Sequence, residues 1–268
     1  MHYDPIKKTV GGFFNKSPFL RKIFYKLLDL LLLRAWHVHR ELRKWKKQAP
    51  ENAHILDAGF GFGQYTLFMK NLAPNSCILG VDVKEDQVSE CNQFFRAIKK
   101  ENVLFKVADL LEFKKAETFD MCLCVDVMEH IEEDVKVMSN ICASLKDGGM
   151  LLISTPSDQG GSDVHEDSDT SFIEEHARDG YNMDEIKEKL KSAGFSKVKA
   201  HYSYGTMGKI SWRLSMKYPM KLLNISKVFL VILPFYYLIT YPISFVLNFL
   251  DVNGAHASGT GLIVKAWK

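Results

Sequence analysis

From residue 51 to residue 204 short apolar runs alternate with longer segments of mixed polarity, and the apolar runs end repeatedly in an acid. His54-Ile-Leu-Asp57, Ile78-Leu-Gly-Val-Asp82, Val103-Leu-Phe-Lys-Val-Ala-Asp109 and Phe119-Asp-Met-Cys-Leu-Cys-Val-Asp126 read as four strands. Met150–Ser154 reads as a fifth, Phe195–Tyr204 as a sixth and Gly259–Lys268 as a seventh. Helices fall between them. One opens at Gln64, one runs from about Glu132 to Lys146 and stops at Gly148-Gly149, and one is capped by Asn182 with Glu185 in a capping box. Strands alternating with helices predict an α/β domain with a doubly wound, mainly parallel sheet.

The chemistry concentrates where the first strand turns. After Asp57 the chain reads Ala-Gly59-Phe-Gly61-Phe-Gly63, a glycine-rich turn that lets a ligand touch backbone at the carboxyl edge of a parallel sheet. The N–H groups at the start of the following helix can receive a carboxylate or phosphate. The spacing is G-x-G-x-G and departs from the G-x-G-x-x-G of dinucleotide sites. Gln64-Tyr65-Thr66 after the last glycine excludes a phosphate-binding G-x-x-x-x-G-K-[ST] loop.

This run closely resembles motif I of the class I S-adenosylmethionine-dependent methyltransferases, and the later strand-end acids fall in the family's order. The resemblance spans residues 51–204 and the last ten. It implies a Rossmann-like, seven-stranded sheet with S-adenosyl-L-methionine as cofactor. On the matching positions, Asp57, Gly59, Gly61 and Gly63 would cradle the methionine part and Asp82 would accept both ribose hydroxyls. Asp109 with Leu110 would meet the adenine, and Asp126 with His130 would face the sulfonium.

Charge divides the chain into parts. The net charge is +3, but residues 1–50 carry 12 Lys and Arg against 3 acids and residues 201–268 carry 7 against 1, so the middle is acidic. Basic flanks on an acidic body point to an anionic partner surface. Their apolar content favours membrane over nucleic acid, and no nucleic-acid partner is expected. Residues 1–50 form a basic amphipathic arm, read as one helix from Ser17 to Lys47 that suits a membrane interface or, alternatively, packs across the substrate face of the core. The apolar run Leu27–Leu33 lies too far in, with no small-residue cleavage site, for a secretory signal. The five cysteines contain no C-x-x-C pair and read as reduced core thiols of a cytoplasmic protein.

The second flank is an apolar insert over residues 205–258, between the methyltransferase core (51–204) and the last strand (259–268). Val228–Leu250 is uncharged for 23 residues, about 34 Å as a helix, yet holds Pro234 and Pro242. If strands six and seven pair, both ends of the insert lie on one side of a bilayer. A single crossing is then excluded, and a helical hairpin broken near the prolines and dipping into one leaflet fits. A lid or a dimer surface is the alternative. The insert leaves at the cofactor edge, which suits an amphiphilic, lipid-like or prenylated acceptor at the inner membrane face, the enzyme being peripheral or monotopic and its oligomeric state open.

Methyl transfer is an in-line displacement, and a hydroxyl acceptor must also lose its proton. The edge of strand four has no Asn-Pro-Pro-Tyr run of the kind that grips planar amines. Asp126-Val-Met-Glu129-His130 instead resembles the acid-x-x-Glu-His segment of ubiquinone-pathway O-methyltransferases, where the matching residues are linked to a divalent metal. Asp126 shortens that reach, and no metal is assigned. His130 is the expected general base. Ser157–Asp179 holds further histidines, His165 and His176, on either a substrate lid or a solvated acidic loop. The expected activity is methylation of an amphiphilic small molecule, at oxygen in preference to nitrogen. A non-catalytic membrane scaffold keeping the cofactor fold is the rival.

Overall fold

The computed structural model describes residues 17–160 and 177–268. Its sheet has seven strands in the order β3-β2-β1-β4-β5-β7-β6. These are β1 (His54–Ala58), β2 (Cys77–Asp82), β3 (Val103–Val107), β4 (Phe119–Val125), β5 (Leu145–Pro156), β6 (Lys197–Ser203) and β7 (Gly261–Trp267). All are parallel except β7, which runs antiparallel between β5 and β6. This is the Rossmann-like, seven-stranded arrangement that the resemblance implies, with one antiparallel strand near its edge.

Alternating side chains of each strand supply two cores. Leu56, Cys122, Cys124, Leu151, Ile153 and Val264 face the layer of α5 (Asp134–Ser144) and α6 (Met183–Ser192). Ile55, Met121, Leu123, Leu152 and Ile263 face the layer of α2 (Leu33–Lys46) and α3 (Gln64–Leu72). The two-residue period of a strand makes this split unavoidable once both faces are covered. On the outer flank α4 (Glu85–Ala97) builds a third cluster of Cys91, Phe94 and Phe95 against Phe60, Phe105 and Tyr25. Cys91, Cys122, Cys124 and Cys142 are buried in these cores and all five cysteines are unpaired.

Two expected boundaries are corrected. The arm is two helices, α1 (Pro18–Leu31) and α2, because Leu32 turns extended at φ −87°, ψ 108°. Ser17 caps α1 by accepting from the Phe19 N–H at 3.2 Å. Both helices pack on the core, the alternative held open above, and α2 buries Leu33, Ala35, Val38 and Leu42 together with His37, His39 and Glu41. The helix after β4 ends at Ser144, not Lys146. From Leu145 the chain is already extended, and Gly148-Gly149 lies in a register shift between the pairs Phe119↔Leu145 and Met121↔Met150, with Gly148 at φ +75°.

The insert is an antiparallel helical hairpin. Its outgoing limb is α7 (Thr206–Trp212), a π-helical turn (Arg213–Lys217) and α8 (Tyr218–Ile225), and its return limb is α9 (Leu233–Asn253). Cross-bonds run in descending order: Gly208 N–H to Asp251 at 2.9 Å, Ser211 hydroxyl to Asn248 at 2.6 Å, and the Tyr237 and Tyr236 hydroxyls to the Ser215 and Leu214 carbonyls at 2.8 and 2.7 Å. The break falls at Ser226–Ile232. Pro234 begins α9 and Pro242 stays inside it, so only the first proline marks the hinge.

Asp251 ties three parts of the chain together. It is fully buried, meets His37 of α2 at 2.9 Å, and accepts from the Tyr204 and Gly208 N–H groups at 3.2 and 2.9 Å. Burial pushes its carboxyl up, but the hydrogen bond and charge of His37, with His256 nearby, hold it below the usual carboxylate range. Removing one partner of such a set leaves buried groups uncompensated and costs roughly 3–5 kcal/mol. Asp251→Ala should therefore lower Tm by roughly 10 °C in thermal unfolding followed by circular dichroism. A shift of a degree or two would show that the arm and hairpin are held by packing alone.

Candidate active site at the carboxyl edge of the sheet

The turn after β1 is built by three glycines in the left-handed region, Gly59, Gly61 and Gly63 at φ +73°, +53° and +77°. A Cβ on Gly59 would stand 2.3 Å from Val127, whereas nothing lies within 4 Å of one on Gly61. Gly59 thus lets the turn pass under the β4 edge, and Gly61 borders open space. The turn is stitched to β2, since Gly59 N–H donates to the Val81 carbonyl at 2.8 Å and Gly61 N–H to Asp82 at 3.2 Å. The other Asp82 oxygen accepts from Lys84 N–H at 3.1 Å. Each oxygen keeps a further lone pair, so Asp82 is a half-buried bidentate acceptor beside the glycine turn.

Asp57 is placed differently. It is 3% exposed and accepts from the Thr66 hydroxyl in the first turn of α3. It supports the turn from inside the fold. Burial pushes its carboxyl up to about 7, with the Thr66 hydrogen bond opposing and the Asp82 charge adding. Asp109 caps its own loop, accepting from Leu111 N–H at 2.9 Å, and Leu110 beside it is 6% exposed in the core.

At the end of β4, Asp126 stands at φ +50° and is ion-paired with Arg34 of α2. The resemblance sets it with His130 toward the sulfonium, and the structure adds an arm cation beside it. Arg34 also donates its N–H to the Tyr204 hydroxyl at 2.9 Å, which brings the root of the hairpin to the same edge. Among the described residues, Arg34 Nε and the Tyr65 hydroxyl are buried without a well-aligned hydrogen bond, though the two side chains lie close enough to interact with each other. Sequence reasoning missed Arg34 and Tyr65, and no local signal marks either one: Arg34 is one of many arm cations.

The short 3₁₀ turn Met128–His130 follows. Glu129 is the inward residue, 1% exposed, accepting from the Thr155 hydroxyl at 3.0 Å, and burial raises its carboxyl above the usual range. His130 is exposed at the end of the turn. Arg178 holds the turn by donating to the Met128 and Ile131 carbonyls at 2.8 and 2.9 Å. His165 and His176 lie outside the described residues. Among the described residues no cluster of three or more His, Cys, Asp or Glu side chains is placed to hold a metal.

Comparison with known proteins identifies the family and the fold. The family model described as a methyltransferase domain matches residues 50–205. The chain is 25% identical over 152 residues to (S)-coclaurine N-methyltransferase of Papaver somniferum, covering 57% of this chain and 40% of that protein. It is 30% identical over 104 residues to the ubiquinone biosynthesis O-methyltransferase of Coxiella burnetii, covering 38% of this chain and 43% of the relative. The chain therefore spans about two fifths of these relatives' own length. The fold is also that of Haemonchus contortus phosphoethanolamine N-methyltransferase 2, solved with S-adenosyl-L-methionine, at a TM-score of 0.62 and 18% identity over 87% of this chain and 52% of that one.

The Asp57 carboxyl gives a pH test. Its folded value lies above that of the unfolded chain, so the folded state holds an extra proton between about pH 4 and pH 7 and loses that stabilisation as pH rises through this window. Asp57→Asn, which can still accept from Thr66, should match wild type in Tm at about pH 4 and below and gain on it progressively up to about pH 7. A Tm difference that does not change with pH would mean the buried carboxyl is ionised throughout.

Proposed function

We propose, on the premise that this chain belongs to the class I S-adenosylmethionine-dependent methyltransferase family, that it transfers a methyl group to an oxygen of an amphiphilic small molecule. The observation that carries the cofactor is the edge itself. Glycine backbone borders open space at Gly61, Asp82 offers two acceptor oxygens beyond it, and Arg34 with the neighbouring Tyr65 brings buried polar atoms with hydrogen-bonding capacity to spare. An amino-acid carboxylate and a ribose are the groups that would complete such a set. Asp82 would hold the ribose, Arg34 the carboxylate while keeping Asp126, and Asp109 the adenine. S-adenosylmethionine, when bound, supplies a methyl group activated by its sulfonium.

The acceptor is read from what else stands at this edge. The hairpin root at Tyr204 and Asp251 adjoins Arg34, so an acceptor enters beside an apolar insert, which suits a molecule with an apolar part. Oxygen is favoured by the Asp126-Val-Met-Glu129-His130 run, which resembles the acid-x-x-Glu-His segment of ubiquinone-pathway O-methyltransferases, with His130 exposed at its end to take the hydroxyl proton. Nitrogen is the second reading, since the N-methylating relative aligns over more of the chain.

Calorimetry should show S-adenosylhomocysteine binding in the micromolar range, about −8 kcal/mol. Asp82→Ala and Arg34→Ala should each weaken it at least tenfold. Tight NADH binding with no response to the sulfonium cofactor would overturn the assignment. His130→Ala should lower turnover of a phenolic or hydroxylated amphiphile roughly a hundredfold while leaving cofactor affinity in place. Turnover at near wild-type rate would remove His130 from proton transfer.

A further inference from the structure

The hairpin is built inside out. Along α9 the polar residues Ser244, Asn248 and Asp251, each at most 1% exposed, face the outgoing limb, and the apolar residues face away from the protein. Phe235, Leu238 and Ile239 are 68, 75 and 71% exposed, and Phe249 at the far end of the helix is still 57% exposed. The tip is as exposed, with Ile225 at the end of α8 at 75% and Val228 and Val231 of the connection at 70 and 72%. Scattered apolar residues on a surface need no explanation, but an apolar tip and an apolar outer face on one element mark a surface that water does not normally cover.

The structure also limits how such a surface meets its partner. α9 is long and apolar enough to cross a membrane, with only 11% of its most apolar window buried. Yet its cross-bonds to the outgoing limb run from Tyr236 to Asp251, and the limbs start and finish at paired strands, with Ser203 of β6 opposite Gly261 of β7. Both roots therefore lie on one side, and the tip is the leading end.

Charge selects the partner. Residues 205–258 contain five Lys and Arg against one acid, Asp251, which is buried on His37. Arg213 and Lys221 are exposed on the outgoing limb, behind the tip. The last residue of α1 is tied to the hairpin where the Leu31 carbonyl accepts from Ser215, and α1 carries a second exposed apolar stripe, Phe19, Ile23, Leu27 and Leu30, with Lys22 and Lys26 exposed beside it. A second copy of this chain would set these basic limbs against each other. An anionic lipid leaflet takes the apolar tip and the cations together.

We propose that the hairpin is a monotopic anchor, its Ile225–Ile239 end seated in one leaflet of an anionic bilayer, with α1 resting on the same surface. This goes beyond methyl transfer and stands or falls without it. The test uses the full chain with vesicles of phosphatidylcholine alone or mixed with phosphatidylglycerol, pelleted at low and high salt. Wild type should pellet at least tenfold more with the anionic vesicles and be partly released by salt. V231D combined with L238D should stay in the supernatant while keeping wild-type Tm and wild-type S-adenosylhomocysteine affinity, which separates loss of docking from loss of fold or site. Wild type remaining in the supernatant with both vesicles would overturn the proposal, as would equal pelleting with both. So would a lipid-free dimer that the double variant turns into monomer, since the face would then be a self-interface. If protease added outside sealed proteoliposomes cuts one root of the hairpin and spares the other, the helix crosses and the one-leaflet anchor is wrong.

Discussion

The carbonyl of Phe62, in the middle of the glycine turn, is held by the arm. Arg21 donates to it at 2.9 Å and the Tyr25 hydroxyl donates to it as well. The same guanidinium reaches Tyr25 at 2.7 Å, the Glu90 carbonyl at 3.2 Å and Cys91 Sγ at 3.0 Å, and stacks over Phe94 at 4.8 Å. It is 4% exposed, and every partner in this set is a neutral acceptor. A buried cation is expensive unless its donors are satisfied, so the turn, α4 and α1 must be in place together. On the other side the turn leans on Asp82 and Val81. The ligand-facing backbone is thus fixed between a strand end and an arm about 40 residues earlier in the chain.

A second hub sets the far half of the edge. Asp251 joins α2, the end of β6 and both limbs of the hairpin, and Glu41 on the same α2 pairs with Lys265 of β7. Between the two hubs lies Arg34 with Asp126. The arm therefore borders the candidate site. The sheet supplies glycines and acids, the arm supplies the cations that complement them, and the antiparallel β6 and β7 return the hairpin to the edge it left.

The parts legible in the sequence were those with local causes. Strand-end acids, the glycine spacing and the Asn182 cap, which accepts from Asp184 N–H at 2.9 Å, depend on residues a few positions apart. The β6–β7 pairing followed from the family topology, and with it the common side of both hairpin roots. What was not legible depends on long-range partners. The arm periodicity runs through Leu32, and only contacts of α1 with the turn and of α2 with the hairpin root make a break there useful. The pairing of Arg34 with Asp126 spans 92 positions. That Glu129 turns inward and His130 outward depends on Thr155 and on Arg178 gripping the 3₁₀ turn. Asp57 was legible as part of the turn, but its partner Thr66 and its burial were not.

The central claim is that the arm and the glycine turn form one cofactor site. Hydrogen exchange read by mass spectrometry, with and without saturating S-adenosylhomocysteine, tests it most directly. The account predicts slowed exchange in peptides covering Gly59–Gln64 and Asp82–Lys84 and, to a similar degree, in those covering Arg21–Tyr25 and Arg34–His37. Ligand protection confined to the turn, with the arm exchanging as in the free protein, would contradict it.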